Sequence, residues 1–321
     1  MTGITATDTA LHQPVLLTEV VTALAPRDGA IYVDGTFGAG GYSRAILDAA
    51  NCTVFAIDRD PDAVAGAKPL LERYAGRLHI LQGRFGEMAD LLSREGVSAV
   101  QGVTLDLGVS SMQLDQAARG FSFRFAGPLD MRMEQQGESA ADLVNTMAEQ
   151  PLADLIFTFG EEKKARRIAK AIIAARALAP ITETQQLADI VRRAIGPTPG
   201  LRIDPATRTF QALRIAVNDE MGEIDRGLAA AEQVLAPGGR LAVVSFHSLE
   251  DRRVKTFLRD RSATAPRASR HLPDLQSKQT AHFRLIAPGG IAPSDAETDR
   301  NPRARSARLR VAERLDTREA A

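Results

Sequence analysis

The turn Asp34-Gly35-Thr36-Phe37-Gly38-Ala39-Gly40-Gly41 joins an apolar run to a segment of helical spacing. That is the junction at which an α/β sheet brings its backbone close to a ligand. Small residues there remove side chains that would block the approach, although a glycine-rich turn by itself also serves as an ordinary tight turn. The next acidic residue decides more. Asp58 closes the following apolar run, about 20 residues on, where a carboxylate accepts hydrogen bonds from both hydroxyls of an adenosine ribose. Its competing role, capping the helix that starts at Pro61, suits Asp60 better. A dinucleotide wants Gly or Ala at the last place of G-x-G-x-x-G, and the frame from Gly38 has Ser43 there. S-adenosylmethionine carries adenosine without a phosphate, so it needs the close backbone and the ribose acid but not that last glycine. Phe85, past the third apolar run, is placed either to cover an adenine face or to fill the core. Asp106 ends the fourth run in Leu105-Asp106-Leu107-Gly108. A carboxylate between apolar neighbours is costly to bury unless it is paired, which favours a chemical role over packing.

Other groups have two readings each. His247, in Ser245-Phe246-His247-Ser248, ends a further apolar run and is either catalytic or a hydrogen-bonded core histidine. Phe121 and Phe123 are placed to stack on a flipped base or to pack under a loop. Lys163, Arg166, Arg167 and Lys170 follow i, i+3, i+4, i+7 spacing, with Ile168, Ile172 and Ala175 on the opposite face. From Glu161 to Arg214 there are eleven Lys/Arg against five Asp/Glu, and Arg300 to Arg310 holds five arginines, Arg303 and Arg305 among them, with no acid. Both segments are either candidate phosphate contacts or solvated surface.

The elements that must position these groups alternate at first. Strands are expected at Ile31–Asp34, Thr53–Asp58, Leu78–Leu81 and Val103–Leu107, and helices at Tyr42–Ala50 and Pro61–Tyr74. From about Ser139 to Arg193 only helical patterns occur, ending in the turn-rich stretch Gly196-Pro197-Thr198-Pro199-Gly200. A helix over Asn218–Leu235 then ends at Ala236-Pro237-Gly238-Gly239, and Arg240–Phe246 is a buried strand. Ser262–Thr280 has the character of a long loop, and His282–Ile286 with Ser306–Val311 a closing antiparallel pair. The pattern predicts an α/β fold with a Rossmann-like sheet in two parts, residues 1–138 and 216–321, around a helical insertion at 139–215.

At 321 residues and 44% apolar content the chain buries a sizeable core. Forty basic residues balance forty acidic ones, so a nucleic-acid surface must be a local patch. The single cysteine, Cys52, excludes an internal disulfide, and no Cys/His cluster has zinc spacing, so no metal is expected. No apolar run reaches membrane-spanning length and the N-terminus lacks an export pattern, so a cytoplasmic protein without a membrane partner is expected.

Longer motifs sharpen this. DGTFGAGGYS at 34–43, DLGVSSMQLD at 106–115, RGFSF at 119–123, GPLDMRM at 127–133, PATRTFQALRIAVN at 205–218, LAPGGRL at 235–241, SFHSLEDR at 245–252 and NPRARSARLR at 301–310 resemble the bacterial ribosomal RNA small-subunit methyltransferase H family, also called MraW. The resemblance runs from about His12 to Glu313. It implies S-adenosylmethionine-dependent methylation of the exocyclic N4 of a cytidine in the decoding region of 16S ribosomal RNA, with the RNA or the small subunit as partner and the helical insertion helping to hold it. It also implies cofactor positions at Gly40, Gly41, Tyr42, Asp58, Phe85, Asp106 and Gln113. Tyr42 stands where many members have histidine, so a backbone contact is what carries over there. Asp106, with Asp130 of the GPLDMRM segment as second candidate, is the expected acceptor at the amino group or the residue ordering the cofactor beside it; Asp130 is also placed for a surface ion pair with Arg132. A small-molecule methyltransferase would share the cofactor half without needing the basic segments. A non-catalytic ribosome-assembly factor would keep the basic segments without needing Asp58 and Asp106.

Overall fold

The apolar runs form one seven-stranded sheet in the computed structural model, which describes residues 14–197, 200, 203–262 and 281–316. β1 (Ile31–Asp34), β2 (Thr53–Asp58), β3 (Leu78–Gln82), β4 (Val100–Asp106) and β5 (Leu235–Ser245) pair in parallel. β6 (Phe283–Leu285) and β7 (Arg308–Arg314) close the far edge, with β7 antiparallel to both β5 and β6. The order is β3-β2-β1-β4-β5-β7-β6. The direction of winding reverses between β1 and β4, so a crevice opens there beyond the carboxyl ends of the strands. The interior strands are apolar on both sides because both faces are covered. Tyr32, Val54, Ala56, Ala242 and Val244 enter one core, and Val33, Phe55, Ile57, Leu241 and Val243 enter the other.

Helices α1 (Leu17–Leu24), α2 (Gly41–Ala49), α3 (Pro61–Gly66) and α4 (Lys68–Arg73) surround the first strands. The helix expected over Pro61–Tyr74 is thus two short ones. Pro69 cannot donate a backbone hydrogen bond and its ring crowds the preceding turn, so the chain restarts at Ala67. α5 (Met88–Arg94) precedes β4, and α6 (Ser111–Asp115) follows it under a Ser110/Gln113 capping box.

Between β4 and β5 the chain builds α7 (Ala140–Thr146), α8 (Glu149–Gly160), α9 (Ala165–Arg176), α10 (Thr184–Ile195) and α11 (Thr207–Val217), then α12 (Glu220–Val234) returns to the sheet. The helical unit has its own core, in which Leu152, Ile156, Ile168, Ile172, Leu187, Val191 and Leu213 are buried. Phe121, Leu129, Met131 and Met133 join that core from ahead of residue 139, and α11 runs unbroken through residue 215. The Ala236–Gly239 stretch stays beside β4, which pairs with Leu235 and next with Arg240 across the irregularity. α13 (Ser248–Asp260) and α14 (Asp295–Arg300) complete the fold. The expected loop at 262–280 lies almost wholly outside the described residues, as does part of the turn-rich stretch at 196–200. Among the described residues no helix is long and apolar enough to cross a membrane.

Candidate active site

A cavity of about 610 Å³ opens at the carboxyl ends of the strands, lined from β1, β2, β4 and β5 and from the turn between α11 and α12. Three aspartates mark those ends, and each meets a different environment. Asp34, last in β1, is fully buried and accepts from Ser43 Oγ at 2.7 Å, Ser43 N at 3.1 Å and Thr36 N at 3.3 Å. Burial outweighs these bonds and pushes its carboxyl up to about 6. It fastens α2 to the turn. Asp58, last in β2, accepts from Gly38 N at 2.7 Å and Asp60 N at 2.8 Å, one on each oxygen. Burial still raises it, and each oxygen keeps a second lone pair for a ligand hydroxyl.

Asp106, last in β4, is held only through its backbone, whose N–H donates to Thr36 Oγ1 at 2.6 Å. Its Oδ1 is buried with no hydrogen-bond partner among the described residues. Burial first, then the charges of Asp34 and Glu250, pushes its carboxyl well above the ordinary range. A carboxyl of this kind, lining a cavity with no hydrogen-bond partner for its Oδ1 among the described residues, is matched to a ligand that brings positive charge. The donor set therefore fits a nucleoside carrying a sulfonium: Asp58 for the ribose, Asp106 for the charge, and Phe85 as an apolar wall. Phe85 has room because residue 227 is glycine; a Cβ there would lie 2.2 Å from the ring.

Six of the seven expected cofactor positions, Gly41, Tyr42, Asp58, Phe85, Asp106 and Gln113, line this cavity, and so does Arg303. Gln113 is buried and fully engaged, its Oε1 accepting from Ser110 N at 3.0 Å and its Nε2 donating to Asp60 Oδ2 at 2.8 Å. The Tyr42 hydroxyl donates to Val15 O, tying the N-terminal segment over the turn. Gly40 is not on the cavity wall. It makes the left-handed turn into α2 at φ 75°, and a Cβ would strike Leu70 and Phe37.

Asp130 corrects an expectation. It does not line the cavity, and Arg132 occupies it through Nη2 at 2.6 Å, Nε at 3.0 Å and the backbone N at 2.9 Å. Burial is outweighed by these bonds, and the carboxyl sits below its usual range, as in an ion pair. Phe121 is buried in the helical core and Phe123 packs edge-on against Phe210 at 4.7 Å, so both serve packing here.

Lys163, Arg166, Arg167 and Lys170 are all exposed; Lys163 precedes the first turn of α9, while Ile168 and Ile172 on the other side are buried. The basic stretch starts close to the cavity rim, because Ser248, next to His247, donates to Glu161 at 2.7 Å. Arg303 donates to Ser111 Oγ at 2.9 Å and to Asp115 at 3.0 Å, and Arg305 is exposed beyond it.

Two further pairs complete the wall; of their members only His247 was singled out in the sequence, with two readings left open. Arg214 and Glu220 form a two-pronged pair, 2.7 and 2.8 Å, across the α11–α12 turn. His247, after β5, has Nε2 3.1 Å from Oε1 of Glu250 in the first turn of α13. The spacing His-x-x-Glu just after an apolar run was the signal available for the second pair. Nothing local announces the first, since it depends on a turn between two helices.

The MraW methylase family pattern matches residues 9–315. The chain is similar to a protein of Rhodospirillum centenum named ribosomal RNA small subunit methyltransferase H, 62% identical over 305 residues covering 95% of this chain and 92% of the relative. It is also similar to one of the same name from Paramagnetospirillum magneticum, 60% identical over 304 residues covering 94% and 95%. Among solved structures an rRNA methylase from Streptococcus thermophilus aligns over 94% of each chain at 9% identity and a TM-score of 0.42. With the family pattern running nearly end to end and identity this high across both relatives, the chain belongs to the MraW methylase family.

Proposed function

We propose that this protein transfers the methyl group of S-adenosylmethionine to the N4 amino nitrogen of a cytidine in the decoding region of 16S ribosomal RNA, acting in the cytoplasm on the RNA or the small subunit. Family membership and the relatives' shared name support a ribosomal RNA methyltransferase. The observation that carries the chemistry is Asp106, whose Oδ1 is buried with no hydrogen-bond partner among the described residues and which lines the same cavity as Asp58.

S-adenosylmethionine supplies a methyl group already activated by its positive sulfur. The N4 lone pair of cytosine is delocalised into the ring, so the protein's task is chiefly to align the amine with that methyl and to accept developing positive charge. Asp58 would take the ribose hydroxyls, Phe85 would cover the adenine, and Asp106 would stand beside the cationic centre. Gly41, Tyr42 and Gln113 shape the rest of the pocket, with Gly40 turning the chain into it. The helical unit at 139–215, with Lys163, Arg166, Arg167 and Lys170, holds RNA phosphates, and Arg303 and Arg305 flank the cavity from the other side.

Methyl transfer to small subunits purified from cells lacking the protein tests this reading. The expected product is one N4-methylcytidine, located by mass spectrometry of decoding-region fragments. Subunits bound but never methylated would support an assembly factor, and transfer to free nucleoside alone a small-molecule enzyme.

A further inference from the structure

His247 and Glu250 form a unit that cofactor binding does not explain. Glu250 is fully buried in the first turn of α13, and its Oε2 is pinned by the backbone N–H groups of Phe246 at 2.7 Å and His247 at 3.2 Å. Burial opposes its charge, but the His247 imidazole, the Arg214 guanidinium and the Phe246 N–H outweigh it and hold the carboxyl below its usual range. The other oxygen, Oε1, faces His247 Nε2 at 3.1 Å. His247 Nδ1 is buried with no partner among the described residues. A ring nitrogen closed off from water without a partner is costly unless a bound group satisfies it. Both residues line the cavity, and β5 lies beside β4, with Asp106 paired in register with Val244 three residues before His247.

We propose that His247, oriented by Glu250, receives the proton that the cytosine amino nitrogen releases during methyl transfer. The inference rests on the functional reading above. In that step the N4 lone pair forms the new N–C bond, the S–CH₃ bond breaks with its electron pair remaining on sulfur, and one of the two N4 hydrogens leaves as a proton to the imidazole. Asp106 is the less suited acceptor. Its carboxyl lies near the charges of Asp34 and Glu250, and the positive sulfur of the cofactor would balance it, so it is assigned to the sulfonium and not to the departing proton. Charged groups face His247 from several elements. Glu250 lies on its own helix, Glu161 approaches from the end of α8, paired with Ser248 and Arg252, Asp106 lies at the end of β4, and the Arg214–Glu220 pair is balanced in charge. Asp251 on the far side is engaged by Arg310 of β7. Glu250 is a positioning residue, fixing the ring and balancing its charge.

The test is single-turnover methylation of small subunits with saturating cofactor, wild type beside H247A, H247N and E250Q. H247A is expected to lower the rate by about 100-fold or more, while cofactor and RNA dissociation constants stay within about three-fold of wild type. Added imidazole, and substituted imidazoles in order of basicity, should restore part of the H247A rate; a merely structural defect would not follow basicity. H247N, which keeps a polar side chain of similar reach, covers the case in which H247A does not fold and should show the same loss. E250Q should lose rate less severely and gain nothing from imidazole. A histidine variant within about three-fold of the wild-type rate, or a loss that no imidazole relieves in a folded protein, overturns the role. A wild-type protein that methylates no RNA overturns the functional reading instead.

Discussion

At the scale of the residue, the cavity holds charge that the ligand-free protein does not balance. Asp106 lies close enough to Asp34 and Glu250 to feel their charges, and Arg214 on the same cavity wall is already committed to Glu220. For both Asp34 and Asp106 the folded-state carboxyl is raised above its unfolded value. Stability is therefore greatest below the unfolded value and is lost as pH rises through the folded one, for Asp34 between the ordinary 3.8 and about 6. Asp106→Asn keeps the shape and removes the charge. It should raise the melting temperature of the ligand-free protein by roughly 2–4 °C at alkaline pH, with a smaller gain as pH falls and the wild-type carboxyl takes up its proton. The same variant should bind the cofactor more weakly and methylate more slowly, a trade of activity against stability. Melting curves across pH and calorimetry check both halves. Equal melting at alkaline pH with equal cofactor affinity would show that Asp106 carries no unbalanced charge.

Elements decide which side chains are free to act. α9 is fixed by Ile168 and Ile172, both fully buried, so its outward residues carry little of its stability. Changing Lys163, Arg166, Arg167 and Lys170 together to glutamine should weaken RNA binding and flatten the dependence of log K on log salt, by about 0.7–0.9 for each phosphate left without its cation. Cofactor affinity should stay put. An unaltered salt slope would assign the RNA to another surface, with Arg303 and Arg305 next to be tried. The Asp106 strand, by contrast, takes its meaning from pairing: only because β4 lies between β1 and β5 do the ends of those strands, with Asp106 and His247, share one cavity.

At the scale of the whole molecule, a polar clasp joins the segment between α6 and α7 to the sheet. Glu134 accepts from Arg59 Nε at 2.9 Å and from Arg84 at 2.6 and 3.1 Å. Arg119 reaches Asp60 and Asp62, and Asn218 accepts from Met133 N while donating to Met131 O. Burial of Glu134 is outweighed by the two arginines, which hold its carboxyl below its usual range. The contribution is present above the unfolded value and fades as pH falls through the folded one. Glu134→Ala leaves two partly buried guanidinium groups facing each other and should cost roughly 1–2 kcal/mol, less than a fully buried pair because Glu134 is 30% exposed. Urea denaturation at pH 7 measures that loss, and it should shrink at low pH. Proteolysis near residues 120–138 should quicken in parallel.

The four early strands were legible from the chain alone because residues buried on two faces must be apolar, and the predicted edges lie within a few residues of the observed ones. The glycine turn, Asp58 and Asp106 were legible for a related reason: a carboxylate at the end of an apolar run stands out against its neighbours. The run of helices between β4 and β5 was visible because the period changed, and the long motifs carried the family. What needed the tertiary structure was every relation between distant segments. Asp130 stands in as suggestive a motif as Asp106, and only folding shows that Arg132 takes it away from the cavity. Arg214 and Glu220 look like ordinary helix residues, and His247 keeps two readings, until the α11–α12 turn and β5 bring them to one wall. Sequence pattern reports how each residue meets solvent or core, a local property; which charges face each other is set by chain crossings that no local period encodes.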